Sequence, residues 1–225
     1  MAENMDTNQM GSSGIATSIA AIVMASGFSR RLGQNKLLLP LGDGTVVGQV
    51  LRQIGRLDFD PVVVVSQYDA VLAQADAMGF YPVANLHADE SKSASIRLGL
   101  QTLEAISVMA HVPLPTGILF LTGDQVLLSD GLLRDLQAVF LEKPDSIVFP
   151  LYDGAMGSPG LFPVDMMPRL QALQGEEGGM KAAREQAHRI VTVTADPGWQ
   201  GLDIDSADAW AKVKELYQET NTLRT

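Results

Sequence analysis

The stretch Gly27-Phe28-Ser29-Arg30-Arg31-Leu32-Gly33, followed by Lys36, comes one residue after the apolar run Ile22-Val23-Met24-Ala25. Glycine lets backbone amides approach an anion closely, and arginine and lysine at fixed offsets neutralise phosphate oxygens. The combination predicts a polyphosphate site in which Arg31 and Lys36 supply the charge. It is not a P-loop, because Lys36 lies three residues after Gly33 instead of directly after a glycine and before Ser or Thr. A second run, Leu119-Phe120-Leu121-Thr122-Gly123-Asp124-Gln125, ends a strand pattern in a carboxylate. An acid delivered beside a triphosphate repels it unless a divalent cation lies between them, so Asp124 points to Mg2+, although an isolated strand-end Asp also suits a surface turn. In Leu202-Asp203-Ile204-Asp205-Ser206, alternation sends Asp203 and Asp205 to one face of an extended segment, and either could complete the metal site. Asp205 and Ser206 are also residue types that cap helices, and one can cap while the other binds. Ser91, Ser93 and Ser95 open a helical pattern, where hydroxyls and free amides either cap the helix or hydrogen-bond a base edge. Gly157-Ser158-Pro159-Gly160 and Gly175-Glu176-Glu177-Gly178-Gly179 read as glycine-rich turns.

These residues need a frame that brings them to one place. Short β-branched runs (19–25, 62–66, 117–122 and 146–149) alternate with longer amphipathic segments near 46–57, 68–78, 93–106 and 131–141. Strands apolar on both faces, separated by helices, predict an α/β fold: three layers with a mostly parallel central sheet, Rossmann-like. Ligands gather at the carboxyl ends of such strands. The loop after Ala25, the loop after Thr122 and the turn before Ser93 then face one crevice. Gly154, Gly157, Pro159, Gly160 and Pro163 break the rhythm and suggest an insertion that covers the site. Residues 1–17, polar and small, read as a disordered tail, and 18–225 as a single domain.

Composition narrows the chemistry. With no cysteine and three scattered histidines among 225 residues, thiolate metal sites, disulfides and cysteine nucleophiles are excluded. Any metal is hard and oxygen-bound. The 26 acidic and 16 basic residues give a formal charge of −10, which repels nucleic acid and anionic membrane surfaces. Arg30, Arg31 and Lys36 form a local positive island against that background. Apolar runs are too short to span a bilayer and the N-terminus lacks the order of a signal peptide, so the expected location is the cytoplasm.

At the loop the chain resembles the nucleotidyltransferases of the molybdenum cofactor, whose signature is Leu-Ala-Ala/Gly-Gly-x-Ser-x-Arg-Met-Gly-x-x-Lys. Met24, Ala25, Ser26, Gly27, Ser29, Arg31, Leu32, Gly33 and Lys36 occupy it. Segments 93–100, 121–128, 156–162 and 202–210 also look like that family's, in the same order. The nearest branch is the cytidylyltransferases, which are similar to sugar nucleotidyltransferases. The resemblance implies a nucleotide-diphospho-sugar transferase type of fold, phosphate binding by Gly27 to Lys36 including Gly33, and nucleotide contacts from Ala25, Ser26, Gly27, Ser93 and Ser95. It further implies a metal aspartate at Asp124 and a second at Asp205, with Gly157, Ser158 and Pro159 on the acceptor side. Val126 replaces the usual proline, Ser158 the usual His or Asn, and Glu176 and Glu177 stand in a Gly-Asp-x-Gly element. The implied reaction transfers CMP from CTP to the terminal phosphate of molybdopterin with release of pyrophosphate. A recipient molybdoenzyme or its chaperone is the implied partner. A sugar phosphate or other small phosphate as acceptor, or a nucleotide-binding protein without turnover, are the alternatives.

Overall fold

The computed structural model describes residues 18–29, 31–87 and 92–222. The expected tail at 1–17, together with Arg30 and Ser91, lies outside the described residues. Among the described residues, ten strands and seven α-helices follow in the order β1 (Ile19–Met24), β2 (Pro40–Leu41), β3 (Gly44–Thr45), α1 (Val46–Ile54), β4 (Val62–Ser66), α2 (Asp69–Ala77), β5 (Tyr81–Ala84), α3 (Lys92–Ala110), β6 (Gly117–Thr122) and α4 (Asp130–Glu142). The second half contributes β7 (Ile147–Tyr152), β8 (Ala155–Met156), β9 (Gly160–Pro163), α5 (Met167–Gln171), α6 (Gly179–Arg184), β10 (Ile190–Ala195) and α7 (Ala207–Thr222). The main sheet runs β10-β7-β9-β6-β1-β4-β5, with β8 beside β7. Its neighbours are parallel except at β9 and β8. This is the expected α/β fold with a mixed, mostly parallel sheet.

Period-2 alternation explains the layers. On β1, Ala21 and Val23 face a core shared with α1, α2, α4 and α7, while Ala20 and Ile22 face a second core shared with α3, α5 and α6. Every residue from Ile19 to Val23 is buried, which is why the run is apolar throughout instead of alternating with polar residues. Among the described residues, no helix is long and apolar enough to cross a membrane.

The segment expected to cover the site instead enters the sheet. After β7, Asp153 (φ 46°) and Gly154 (φ 88°) make a two-residue hairpin turn, and β8 folds back on β7. The chain then returns as β9, antiparallel to β6 with Leu119 opposite Leu161 and Ile118 opposite Phe162. Leu161 packs into one core and Phe162 into the other, so β9 is a two-sided buried strand. The glycines and prolines mark the turns around a strand only four residues long, too short for a periodic signal. The edge-to-face cluster of Phe162 with Phe120 and Phe149 leaves no room at Gly160, where a Cβ would lie 2.5 Å from Phe149 and 2.8 Å from Phe162. Gly160→Ala is therefore expected to destabilise the fold by about 1–3 kcal/mol through overpacking. A urea titration reads this directly, and a midpoint equal to wild type would remove the packing argument.

Candidate active site

The carboxyl ends of β1 and β6 open into a cleft of about 380 Å³. Ala25, Ser26, Gly27, Lys36 and Ser95 line it, facing Asp124, Asp203 and Asp205. A second hollow of about 340 Å³, bounded by Gln53, Trp199 and Tyr217, shares none of its residues with the first. The carboxyl-end cleft is the one that gathers the residues expected to do chemistry.

Its positive wall is built locally. Ser29 takes a left-handed conformation (φ 50°) and its Oγ accepts from the Lys36 amide at 3.1 Å, closing the loop on itself. Gly33, at φ 70°, permits the intervening turn, a conformation a side chain resists. Asn35 then caps the short 3-10 turn Lys36–Leu38 by accepting from the Leu37 amide, and buried Leu37 anchors it in the core. Lys36 Nζ is thereby aimed across the cleft at Asp124 Oδ2, 2.5 Å away, with side-chain exposures of only 18% and 5%. Arg31 stands further out, 3.3 Å from Asp205, and both side chains are largely exposed. An ion pair so exposed is weak and readily exchanged for another anion.

The acidic wall is assembled from two distant segments. The same Asp124 Oδ2 accepts from the Ile204 amide at 3.2 Å, and Ile204 is fully buried. That pin fixes the strandless segment around it, so Asp203 and Asp205 both reach the cleft, as alternation predicts. Ser206 Oγ accepts from the Ala209 amide at 3.1 Å and caps α7, which leaves Asp205 free of that duty. The Asp203 carboxyl is pushed up to about 6, first by desolvation among its protein neighbours and then by the charge of Asp124, with Lys36 and Lys92 pulling the other way. Asp203 is exposed by surface area, so this desolvation comes from protein atoms crowding the carboxyl at the cleft wall and not from enclosure in the core. Carboxylates converging to this degree favour a cation. Among the described residues no three His, Cys, Asp or Glu side chains form a complete metal cage. A one- or two-carboxylate site finished by phosphate oxygens and water is what Mg2+ prefers, and the donor set fits it. Val126, in place of a proline, donates its amide to the Asp124 carbonyl at 3.0 Å, a bond proline lacks, and so keeps the turn closed.

At the other end, the chain from Ala25 to Gly27 is tied to the end of β4. Ser66 Oγ donates to the Ala25 carbonyl, Gln67 to that of Ser26, and the Tyr68 hydroxyl to that of Gly27. Of the two candidate serines on α3, Ser95 lines the cleft, whereas Ser93 is fully buried beneath it and accepts from Arg97. Gly157, Ser158 and Pro159 do not line the cleft. Ser158 is instead joined to the end of β6 through reciprocal bonds with Gln125, the residue after Asp124. Three cleft neighbours have no assigned role in the sequence reading. Asn85 bridges Ser26 and Ser95, and Lys92 and Glu176 lie on the wall. Asn85 follows β5, an edge strand whose Tyr-Pro-Val-Ala run carries little strand signal, so nothing local marks it.

A sheet of this order with a cation loop and facing carboxylates at its carboxyl edge defines a nucleotidyltransferase. A profile of the MobA-like NTP transferase domain matches residues 21–190, and the chain belongs to that family. Purine catabolism protein PucB of Bacillus subtilis (strain 168) is 26% identical over 206 residues, covering 87% of this chain and 96% of that protein. Among solved structures, the Mycobacterium tuberculosis rv0371c homolog from Mycobacterium sp. strain JC1 superposes with a TM-score of 0.75 at 25% identity, over 90% of this chain and 98% of its own. Rv0371C of Mycobacterium tuberculosis H37Rv, solved in complex with manganese, gives a TM-score of 0.67 at 27% identity, over 88% and 99%.

Proposed function

We propose that the protein transfers CMP from CTP to the terminal phosphate of molybdopterin, releasing pyrophosphate in the cytoplasm. The observation that carries the reading is the Lys36–Asp124 pair, cation against carboxylate across a cleft that ends at Ser26 and Ser95. The triphosphate lies along Gly27 to Lys36 and the base between Ser26 and Ser95. Asp124 and Asp205 would hold Mg2+, which would supply charge neutralisation for the phosphates; the manganese complex of a relative supports a divalent ion. With phosphates present, Lys36 turns from Asp124 to the transferring phosphoryl group, and Arg31 exchanges Asp205 for the leaving pyrophosphate. An oxygen of the acceptor phosphate attacks the α-phosphorus in line, a new P–O bond forms, and the bond to the β-phosphate breaks with its electrons leaving on pyrophosphate. A phosphate monoester is largely dianionic near neutral pH, so no side chain need remove a proton, and alignment with charge neutralisation does the work.

The test is pyrophosphate release from CTP and Mg2+ with and without molybdopterin. Release that depends on molybdopterin is the expected result. Release driven by a sugar phosphate instead would transfer the reading to a sugar nucleotidyltransferase, and nucleotide binding with no release under any acceptor would leave a carrier. A recipient molybdoenzyme or its chaperone is the partner that product transfer calls for.

Base choice follows from Ser26, a residue 8% exposed whose side chain would occupy space beside the base. CTP is expected over GTP, by a modest margin because one small side chain discriminates by about 1–3 kcal/mol. Ser26→Gly is expected to narrow that margin while transfer continues. Competition between the two triphosphates measures it, and a wild-type preference for GTP would end the cytidylyltransferase assignment.

A further inference from the structure

Asn85 is buried at the base end of the cleft, 1% exposed, and both ends of its side-chain amide are hydrogen-bonded. Its Oδ1 accepts from the His87 backbone amide at 3.1 Å. A backbone N–H can only donate, so this bond fixes which way the side-chain amide points. The Nδ2 group must then face the two serines, and it lies 3.3 Å from Ser26 Oγ and 3.1 Å from Ser95 Oγ. Both hydroxyl oxygens therefore receive a proton from one rigid amide.

The consequence differs between the two serines. Ser26 Oγ donates its own proton to the Val65 carbonyl at 3.3 Å, a group that can only accept. With one bond received and one given, Ser26 presents a lone pair alone to the cleft. Ser95 Oγ receives from Asn85 and its proton has no acceptor among the described residues, so Ser95 presents a donor. The cleft thus offers one acceptor and one donor held apart by a single amide. Cytosine carries an N4 amino donor beside the N3 acceptor, and it meets this pair with N4–H on Ser26 and N3 on Ser95. Uracil carries a carbonyl where cytosine carries the amino group and a proton on N3. It sets acceptor against acceptor and donor against donor.

We propose that Asn85 is a positioning residue that fixes the hydroxyl polarity of Ser26 and Ser95 and so selects cytosine over uracil. This rests on the nucleotidyltransferase reading above and adds to it the means of telling two bases of equal size apart, which steric exclusion by Ser26 cannot do. A buried donor left facing a donor is penalised far more than a missing methyl group, and a mismatch of this kind is worth about 10- to 100-fold in affinity.

Equilibrium binding of labelled CTP in Mg2+, with UTP as competitor, tests the proposal without any acceptor. Wild type is expected to favour CTP by about 10- to 100-fold. Asn85→Leu keeps the volume but removes both donated protons, so the Ser95 hydroxyl turns freely; CTP weakens, UTP does not, and the ratio falls toward one. Ser95→Ala removes the donor itself and is expected to collapse the ratio likewise. Purely structural damage would weaken both nucleotides together and leave their ratio unchanged. Should Asn85→Leu not fold, Asn85→Ala takes its place with the same expected ratio. A folded variant at either position that keeps the wild-type ratio overturns the proposal, as does a wild type that binds the two pyrimidines equally while still binding CTP. Binding of neither triphosphate overturns the nucleotidyltransferase reading itself and this proposal with it.

Discussion

Asp124→Asn is expected to cut pyrophosphate release by about 10³-fold, equivalent to roughly 4 kcal/mol of lost transition-state stabilisation, while the protein stays folded. The amide matches the carboxylate in shape and can still accept from the Ile204 amide and from Lys36. What it lacks is the anionic oxygen that a hard cation requires. Stability is held near wild type by two opposing effects. The attraction to Lys36 weakens, and the repulsion that helps push Asp203 up to about 6 is relieved. Circular dichroism with a thermal melt checks the fold, and a pyrophosphate assay over a range of Mg2+ concentrations checks the chemistry. A folded variant with near-normal turnover at all Mg2+ concentrations would remove Asp124 from the metal site.

Lys36→Ala is expected to slow transfer by roughly two to three orders of magnitude, the effect of losing one preorganised charge at a phosphoryl group. It also has a stability cost that Asp124→Asn avoids. Asp124 is 5% exposed, and without Lys36 it faces Asp203 and Asp205 with no cation in the pair's place. Removing one member of a buried pair costs about 3–5 kcal/mol, and the 18% exposure of the lysine side chain places this pair at or below the low end. The double variant Lys36→Ala with Asp124→Asn separates the two effects. It is expected to recover much of the stability lost in Lys36→Ala, because the stranded charge is gone, and none of the activity. Recovery of turnover along with stability would make Lys36 a structural residue.

The cation loop of the cleft is legible in the sequence because its signal is local. Ser29, Gly33, Asn35 and Lys36 act within eight residues of one another, and the bonds that shape the loop run among them. The same holds for β1 and β6, whose unbroken apolar runs reflect burial on both faces, and for Asp124, carried to the crevice by the strand before it. Alternation places Asp203 and Asp205 together for an equally local reason.

Local pattern thus carries a mostly parallel α/β frame, a cation loop and acids at the carboxyl edge of its sheet. Tertiary structure alone decided which partners meet. The Lys36–Asp124 pair joins residues 88 apart, Arg31 and Asp205 are 174 apart, and Asn85 meets Ser26 across 59 positions. It also turned the glycine-rich 150s and 160s into β9, a strand slotted antiparallel between β6 and β7, and chose Ser95 over Ser93 for the cleft. Periodicity reports the face on which a residue lies. The order of strands in a sheet, and the side chain waiting across each strand end, depend on burial shared among segments far apart in the chain, and no local pattern encodes them.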